Sequence, residues 1–193
     1  MAYRQAIFLD KDGTLIEDVP YNVDPRKIRL MPGVAAGLRR LSGLGYAFIV
    51  VTNQAGVARG YFREEALTAV ESRLRSLLRD QGVTMQGFYY CPHHPEGTVA
   101  AYTTACNCRK PMPGMLLDAA ARFGIRLEQS WMVGDILDDV EAGNRAGCKT
   151  ILVDPTYRER RQITSGLRRP SAVADTFSEA ATLMINQIGH GHE

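Results

Sequence analysis

The apolar run Ala6-Ile7-Phe8-Leu9 ends abruptly in Asp10-Lys11-Asp12-Gly13, and this junction constrains the chain more than any other stretch. Continuous apolar residues without alternation read as a strand covered on both faces, the kind found inside a parallel sheet. Open α/β sheets bind their ligands at the carboxyl ends of the strands, which is where Asp10 and Asp12 fall. Alternation along extended backbone points both carboxylates to one side. Held that close they repel, unless a cation or a shared proton intervenes. A hard divalent ion such as Mg²⁺ is the natural neutraliser. Gly13 lets the backbone turn away before Thr14-Leu15 resumes an apolar course.

The pattern recurs. Tyr46 to Val51 is apolar and β-favouring and stops at Thr52-Asn53-Gln54-Ala55-Gly56, where a hydroxyl and backbone amides could cradle a phosphate. Ser130 to Val133 stops at Gly134-Asp135. Gln86 to Tyr90 and Lys149 to Val153 read as further strands, and Ala172 to Ala174 as an edge strand. Helices are expected between them. Pro32-Gly33 opens one with Val34, Leu38, Leu41 and Leu44 on a single face, ended by Gly43 and Gly45. Others span 63–81, 114–123 with Gly124 as cap, 138–146 ended by Gly147, and 178–188. Strands alternating with helices make this an α/β chain with a doubly wound parallel sheet. At 193 residues and 45% hydrophobic, it suits a single domain over 1–193, with the Cys/His stretch 91–108 as an inserted loop. The segment Glu17 to Leu30, broken by Pro20 and Pro25, is too irregular for a core element. It lies above the strand ends as a cover, through which Asp18, Val19, Pro20 and Tyr21 are expected to reach a substrate.

Charge is nearly balanced, with 23 basic and 21 acidic residues, which gives no general attraction to nucleic acid or membrane. The one basic cluster, Arg158, Arg160, Arg161, Arg168 and Arg169, reads as a solvated surface. No apolar run approaches the roughly 20 residues of a membrane span, and the start does not read as a secretory signal, so a cytoplasmic protein is expected. Of four cysteines, Cys91, Cys106 and Cys108 gather beside His93. In a reducing compartment that grouping suggests metal rather than disulfides. His94 reads as a spare surface residue and Cys148 as a small core residue.

Asp10-x-Asp12-Gly13-Thr14 after an apolar strand resembles the first motif of the haloacid dehalogenase-like phosphatases, and Thr52, Lys110 and Gly134-Asp135 with Asp139 follow in the order of the other three. The resemblance covers about residues 6–155. Within that family the chain is similar to the branch of histidinol-phosphate and heptose-bisphosphate phosphatases, marked by a metal loop leading into Cys108-Arg109-Lys110-Pro111. The resemblance implies a Rossmann-like fold with no large cap domain, three short loops near Asp18, Arg59 and Arg109 standing in its place, and a monomer acting on a small sugar phosphate. It implies Asp10 as nucleophile and Asp12 as general acid and then base. Mg²⁺ would be held by Asp10, the Asp12 carbonyl and Asp135, with Asp139 acting through water or orienting the site. Thr52 and Asn53 would hold the phosphoryl group, Lys110 would neutralise it, Arg109 would take a second phosphate or sugar hydroxyls, and Gln54, Ala55 and Arg59 would also bind substrate.

Cys91, His93, Cys106 and Cys108 supply the three thiolates and one imidazole of a closed, structural zinc site, which would stiffen the segment carrying Arg109 and Lys110. The twelve residues between His93 and Cys106 are similar in length to the loop of the heptose-bisphosphate members. That favours release of the C7 phosphate of a heptose 1,7-bisphosphate, on the path to lipopolysaccharide, over hydrolysis of histidinol phosphate. A zinc-stabilised binding module without enzymatic activity is the distant third reading. Ile136 stands where several heptose-branch sequences have Lys.

Overall fold

The computed structural model describes residues 5–164 and 166–189. Its centre is a parallel sheet of six strands, β1 (Ala6–Leu9), β2 (Ala47–Asn53), β3 (Met85–Cys91), β4 (Trp131–Gly134), β5 (Lys149–Val153) and β6 (Ala172–Ala174), in the order β3-β2-β1-β4-β5-β6. The chain winds outward from β1 to β3, then crosses back to lay β4 on the other side of β1. The β1/β4 border is therefore the topological switch point, where such sheets open a crevice at their carboxyl ends. Registers Leu9↔Val50 and Leu9↔Val133 bring the ends of β2 and β4 level with Asp10.

The helices α1 (Val34–Leu41), α2 (Leu67–Arg79), α3 (Gly114–Phe123), α4 (Leu137–Ala146) and α5 (Phe177–Gly189) cover both faces. Ile7, Leu9, Phe48, Val50, Trp131 and Val133 point to one face, where α1, α2 and α5 bury Leu38, Leu74 and Phe177 against them. Ala6, Phe8, Ile49, Val51 and Met132 point to the other and meet Met115, Leu116 and Ala119 of α3. The central strands β1, β2 and β4 thus read as apolar runs because both of their faces are covered. Each large side chain buried this way contributes roughly 1.5–3 kcal/mol, which fixes the strand ends that carry the site. Cys148 is buried in the α3 face, as its sequence position suggested.

The element pattern follows the expectation with local differences. The first helix stops at Leu41, and Leu44 is exposed beyond it, because Gly43 and Gly45 hold left-handed backbone conformations that end the helical path. The second begins as a 3₁₀ turn, Glu64–Ala66, before α2 proper. Residues 17–30 are less detached than a cover loop. Ile28 is buried in the core, Ile16 bridges Leu30, and Asp24 caps a 3₁₀ turn at Pro25–Lys27. The arginine cluster is only partly a solvated surface. Arg160 pairs with Asp175 at 2.6 Å and donates to the Asp154 carbonyl, while Arg168 pairs with Asp138 at 3.1 Å and Glu141 at 2.9 Å. Among the described residues no helix is long and apolar enough to cross a membrane.

Candidate functional site

Three segments far apart in sequence meet at the carboxyl end of β1. Asp10 follows β1, Asp135 follows β4, Asp139 sits in the first turn of α4, and Lys110 arrives from the loop before α3. Carboxylate oxygens of Asp10, Asp135 and Asp139 lie within 4.8 Å of one another. The Lys110 ammonium is fully buried among them, 2.5 Å from Asp10 Oδ1 and 2.6 Å from Asp139 Oδ1, and it donates to the Val51 carbonyl at 3.0 Å. Two glycines make this approach possible. A side chain at Gly13 would collide with the Asp135 carboxylate, and one at Gly134 with that of Asp139.

Three carboxylates against one ammonium leave an excess of negative charge in a poorly solvated space. Burial pushes the Asp135 carboxyl up to about 8, with Asp10 and Asp139 adding to the shift. Thr14 Oγ1 donates a hydrogen bond to it at 3.3 Å. Burial also raises Asp139. Burial opposes the Lys110 charge, but Asp10 and Asp139 together overcome that and hold its ammonium above the usual lysine range. A cation touching two carboxylates at once keeps its proton. The unmatched acid, Asp135 facing Asp10, has the donors and the charge that suit a hard divalent cation.

Asp12 faces a different neighbourhood. Its carboxylate is 2.5 Å from Lys11 Nζ and accepts from Gln54 Nε2 at 3.3 Å. Burial raises its pKa, Lys11 opposes, and Asp10 adds to the rise. Gln54 also donates to Thr52 Oγ1 at 2.8 Å, which joins the ends of β1 and β2 through one amide. Beside Asp12 opens a cleft of about 290 Å³, and Asp18, Pro20, Tyr21, Asn53, Gln54, Ala55 and Arg109 line it as the sequence suggested. Val19 and Arg59, expected to reach the same space, are not on its wall. The Arg59 guanidinium instead meets His94 Nε2 at 3.4 Å. The Asn53 amide is engaged twice with the Lys110 backbone, donating to its carbonyl and accepting from its N–H, both at 3.0 Å.

Gly56 of the expected phosphate cradle lines the cleft too, as do Lys11 and Asn22, which were not singled out from sequence. Lys11 could have been noticed, since a lysine between two aspartates at a strand end has a carboxylate on either side. Tyr21 has positive φ and packs edge-on against Tyr61, with ring centroids 4.5 Å apart, so two loops meet above the opening.

A second donor cluster lies at the end of β3. Cys91, Cys106 and Cys108 place their sulfurs 3.1–3.5 Å apart, and His93 Nδ1 is 3.3 Å from Cys108 and 3.7 Å from Cys91. A tetrahedral site with metal–sulfur bonds of about 2.3 Å has ligand–ligand edges of roughly 3.8 Å, so these four donors fit one slightly compressed tetrahedron. His94 lies outside it and accepts from Glu96 N at 3.1 Å. Protein contacts tie the loop down as well. Tyr90 and Tyr102 both donate to the Glu64 carboxylate, Thr98 N and Val99 N to the Ala58 carbonyl, and Arg109 to the His93 carbonyl.

Comparison with known proteins agrees with this geometry. A family model described as HAD-hydrolase-like matches residues 107–180, the span from the metal loop to α5. A D-glycero-beta-D-manno-heptose-1,7-bisphosphate 7-phosphatase of Photorhabdus laumondii is 38% identical over 183 residues, 95% of this chain and 90% of that protein. The chain belongs to the haloacid dehalogenase-like phosphatases. Within them its likeness is to the heptose-bisphosphate branch. The Yersinia pestis protein of the same name is 43% identical over 145 residues, 75% of this chain and 77% of its own length. The solved structure of D,D-heptose 1,7-bisphosphate phosphatase from B. bronchiseptica, complexed with magnesium and phosphate, superposes with a TM-score of 0.81 at 30% identity, covering 95% of this chain and 99% of that one.

Proposed function

We propose that this phosphoric monoester hydrolase removes the C7 phosphate of D-glycero-β-D-manno-heptose 1,7-bisphosphate, as a cytoplasmic, monomeric, single-domain enzyme supplying heptose for lipopolysaccharide. The observation that carries the chemistry is Asp10, buried at the switch point, with Lys110 at 2.5 Å and an oxygen of the unmatched acid Asp135 within 4.8 Å. The names of the relatives support the substrate and its anomer.

Asp10 attacks phosphorus in line and becomes an aspartyl-phosphate. Asp12, whose burial favours the protonated acid, gives its proton to the departing sugar oxygen and then takes one from the water that hydrolyses the intermediate. Thr52, whose oxygen accepts from Gln54, donates its hydroxyl proton to a phosphoryl oxygen. Lys110 neutralises the transferring group while Asp139 and the Val51 carbonyl fix its ammonium. Asn53 holds the backbone of Lys110 as well as bordering the cleft. Arg109, a planar fork on the cleft wall, suits the second phosphate, with Asp18, Pro20, Tyr21 and Ala55 shaping the sugar end.

Mg²⁺ held by Asp10, Asp135 and the Asp12 carbonyl would supply Lewis-acid stabilisation of the phosphoryl oxygens. Zn²⁺ held by Cys91, His93, Cys106 and Cys108 would be structural, since four protein ligands close the coordination shell.

The test is phosphate release with Mg²⁺ from both anomers of the heptose bisphosphate and from histidinol phosphate. A kcat/KM highest for the β-bisphosphate is expected. A preference for histidinol phosphate would overturn the substrate and leave the aspartyl-phosphate chemistry in place.

A further inference from the structure

The proposed metal aspartate, Asp135, and the Lys110 partner, Asp139, are separated by a short turn, Ile136-Leu137-Asp138, that opens α4. The N-cap of this helix is Ile136, whose side chain cannot accept a hydrogen bond, so the first amides of α4 need acceptors from elsewhere. Asp139 supplies one, taking the Ile136 N–H at 3.3 Å on Oδ2. The Leu137 N–H goes to Glu159 Oε2 at 2.9 Å, a residue 22 positions further along.

Glu159 is not there by chance of a loose loop. Asp154, buried at the end of β5, accepts from Thr156 Oγ1 and from the N–H groups of Arg158 and Arg160. Arg160 then stacks on Tyr157 at 4.0 Å and pairs with Asp175. This knot delivers Glu159 to the helix end from the far side of the site. There Asp135, Ile136 and Glu159 border a second opening of about 290 Å³, distinct from the cleft beside Asp12.

We propose that Glu159 is a positioning residue of the phosphatase site, fixing the Asp135–Asp139 turn through the Leu137 amide so that Asp135 is already aimed when Mg²⁺ arrives. The inference rests on the proposed role of Asp135 as a metal ligand. What it requires of Glu159 is an acceptor oxygen at Leu137 N, and glutamine retains one.

The experiment compares wild type, Glu159→Gln and Glu159→Ala by amide hydrogen exchange at Leu137 without metal and by calorimetric Mg²⁺ titration. Glu159→Ala is expected to speed Leu137 exchange and to weaken Mg²⁺ affinity about tenfold, the lower end of what orienting partners of metal ligands contribute. Glu159→Gln is expected to restore both, with kcat at saturating Mg²⁺ near wild type. Equal affinity in Glu159→Ala and wild type would overturn the inference, whatever happens to Tm. Failure of Glu159→Gln to restore affinity would overturn it too, since charge rather than position would then be responsible. A wild type with no Mg²⁺ binding would remove the metal reading of Asp135 itself, a separate failure; slow Leu137 exchange in Glu159→Ala would still count against the cap.

Discussion

The two donor clusters differ in how they are assembled. Asp10, Lys110 and the Asp135–Asp139 stretch are three segments spread over 130 positions and are brought together by the sheet. Cys91, His93, Cys106 and Cys108 come from one loop within 18 positions and meet at the end of a single strand. Oxygen donors on packed strand ends keep their arrangement without help from metal, and their excess charge is what a cation relieves. Of the sulfur donors only Cys91 sits on a strand, and the other two lie in irregular backbone, so a bound metal would be the cross-link. The clusters are joined by two residues, because Cys108 belongs to the soft cluster and Lys110 to the hard one. Loosening the loop should therefore be felt as misplacement of Lys110 and Arg109, not as loss of the nucleophile.

Asp10→Asn should break the comparison most sharply. It leaves Lys110 with Asp139, so the fold persists, while phosphate release falls by about four orders of magnitude. Kinetics paired with circular-dichroism melts check this, and near-normal turnover would remove Asp10 as nucleophile.

The pH dependence of stability sharpens the electrostatic half. The carboxyl of Asp135 is raised from 3.8 to about 8 in the folded chain. Between those values the folded state holds a proton that the unfolded state has lost, so stability falls as pH rises through that window. Without added Mg²⁺, thermal melts should drop steadily from about pH 4 to pH 8, and millimolar Mg²⁺ should flatten the slope. A slope of the opposite sign would mean that Asp135 is ionised in the metal-free fold.

Cys108→Ala tests the soft cluster. It should lower Tm and raise KM by about tenfold with a smaller change in kcat, as expected when an orienting shell rather than a reacting group is lost. A zinc-selective chelator should reproduce the effect on wild type and add nothing to the variant.

The smallest effect concerns the protein's own share in holding the loop. Tyr102→Phe removes the hydroxyl that donates to Glu64 at 2.5 Å. Denaturant unfolding should show a cost of about 1 kcal/mol, with kcat/KM hardly altered. A KM change as large as that of Cys108→Ala would mean that the tyrosine clip, not the metal, sets the loop.

Much of this was legible in the residues. Strands covered on both faces leave apolar runs, and turns that must reverse or approach closely leave Gly13, Gly124 and Gly147, so the element order could be read directly. The soft cluster was equally legible, because its donors are near neighbours in sequence. The differences lie where local pattern and tertiary packing compete. Leu44 continues the helical periodicity yet is exposed, since glycine backbone geometry ends the helix first. Ile28 sits in a polar, proline-broken stretch yet is buried, since the stretch folds back through the Ile16–Leu30 bridge and joins the core.

By itself the sequence determined the alternation of strands and helices, the acids at the strand ends, and the thiolate loop, all of which depend on spacing along the chain. Only the tertiary structure decided that Lys110 touches both Asp10 and Asp139, that Asn53 grips the Lys110 backbone, and that Glu159 caps the helix carrying Asp139. Those partners are 22 to 100 positions apart. Their meeting depends on strand order and register, which the burial of both sheet faces fixes and which no local pattern of residues records.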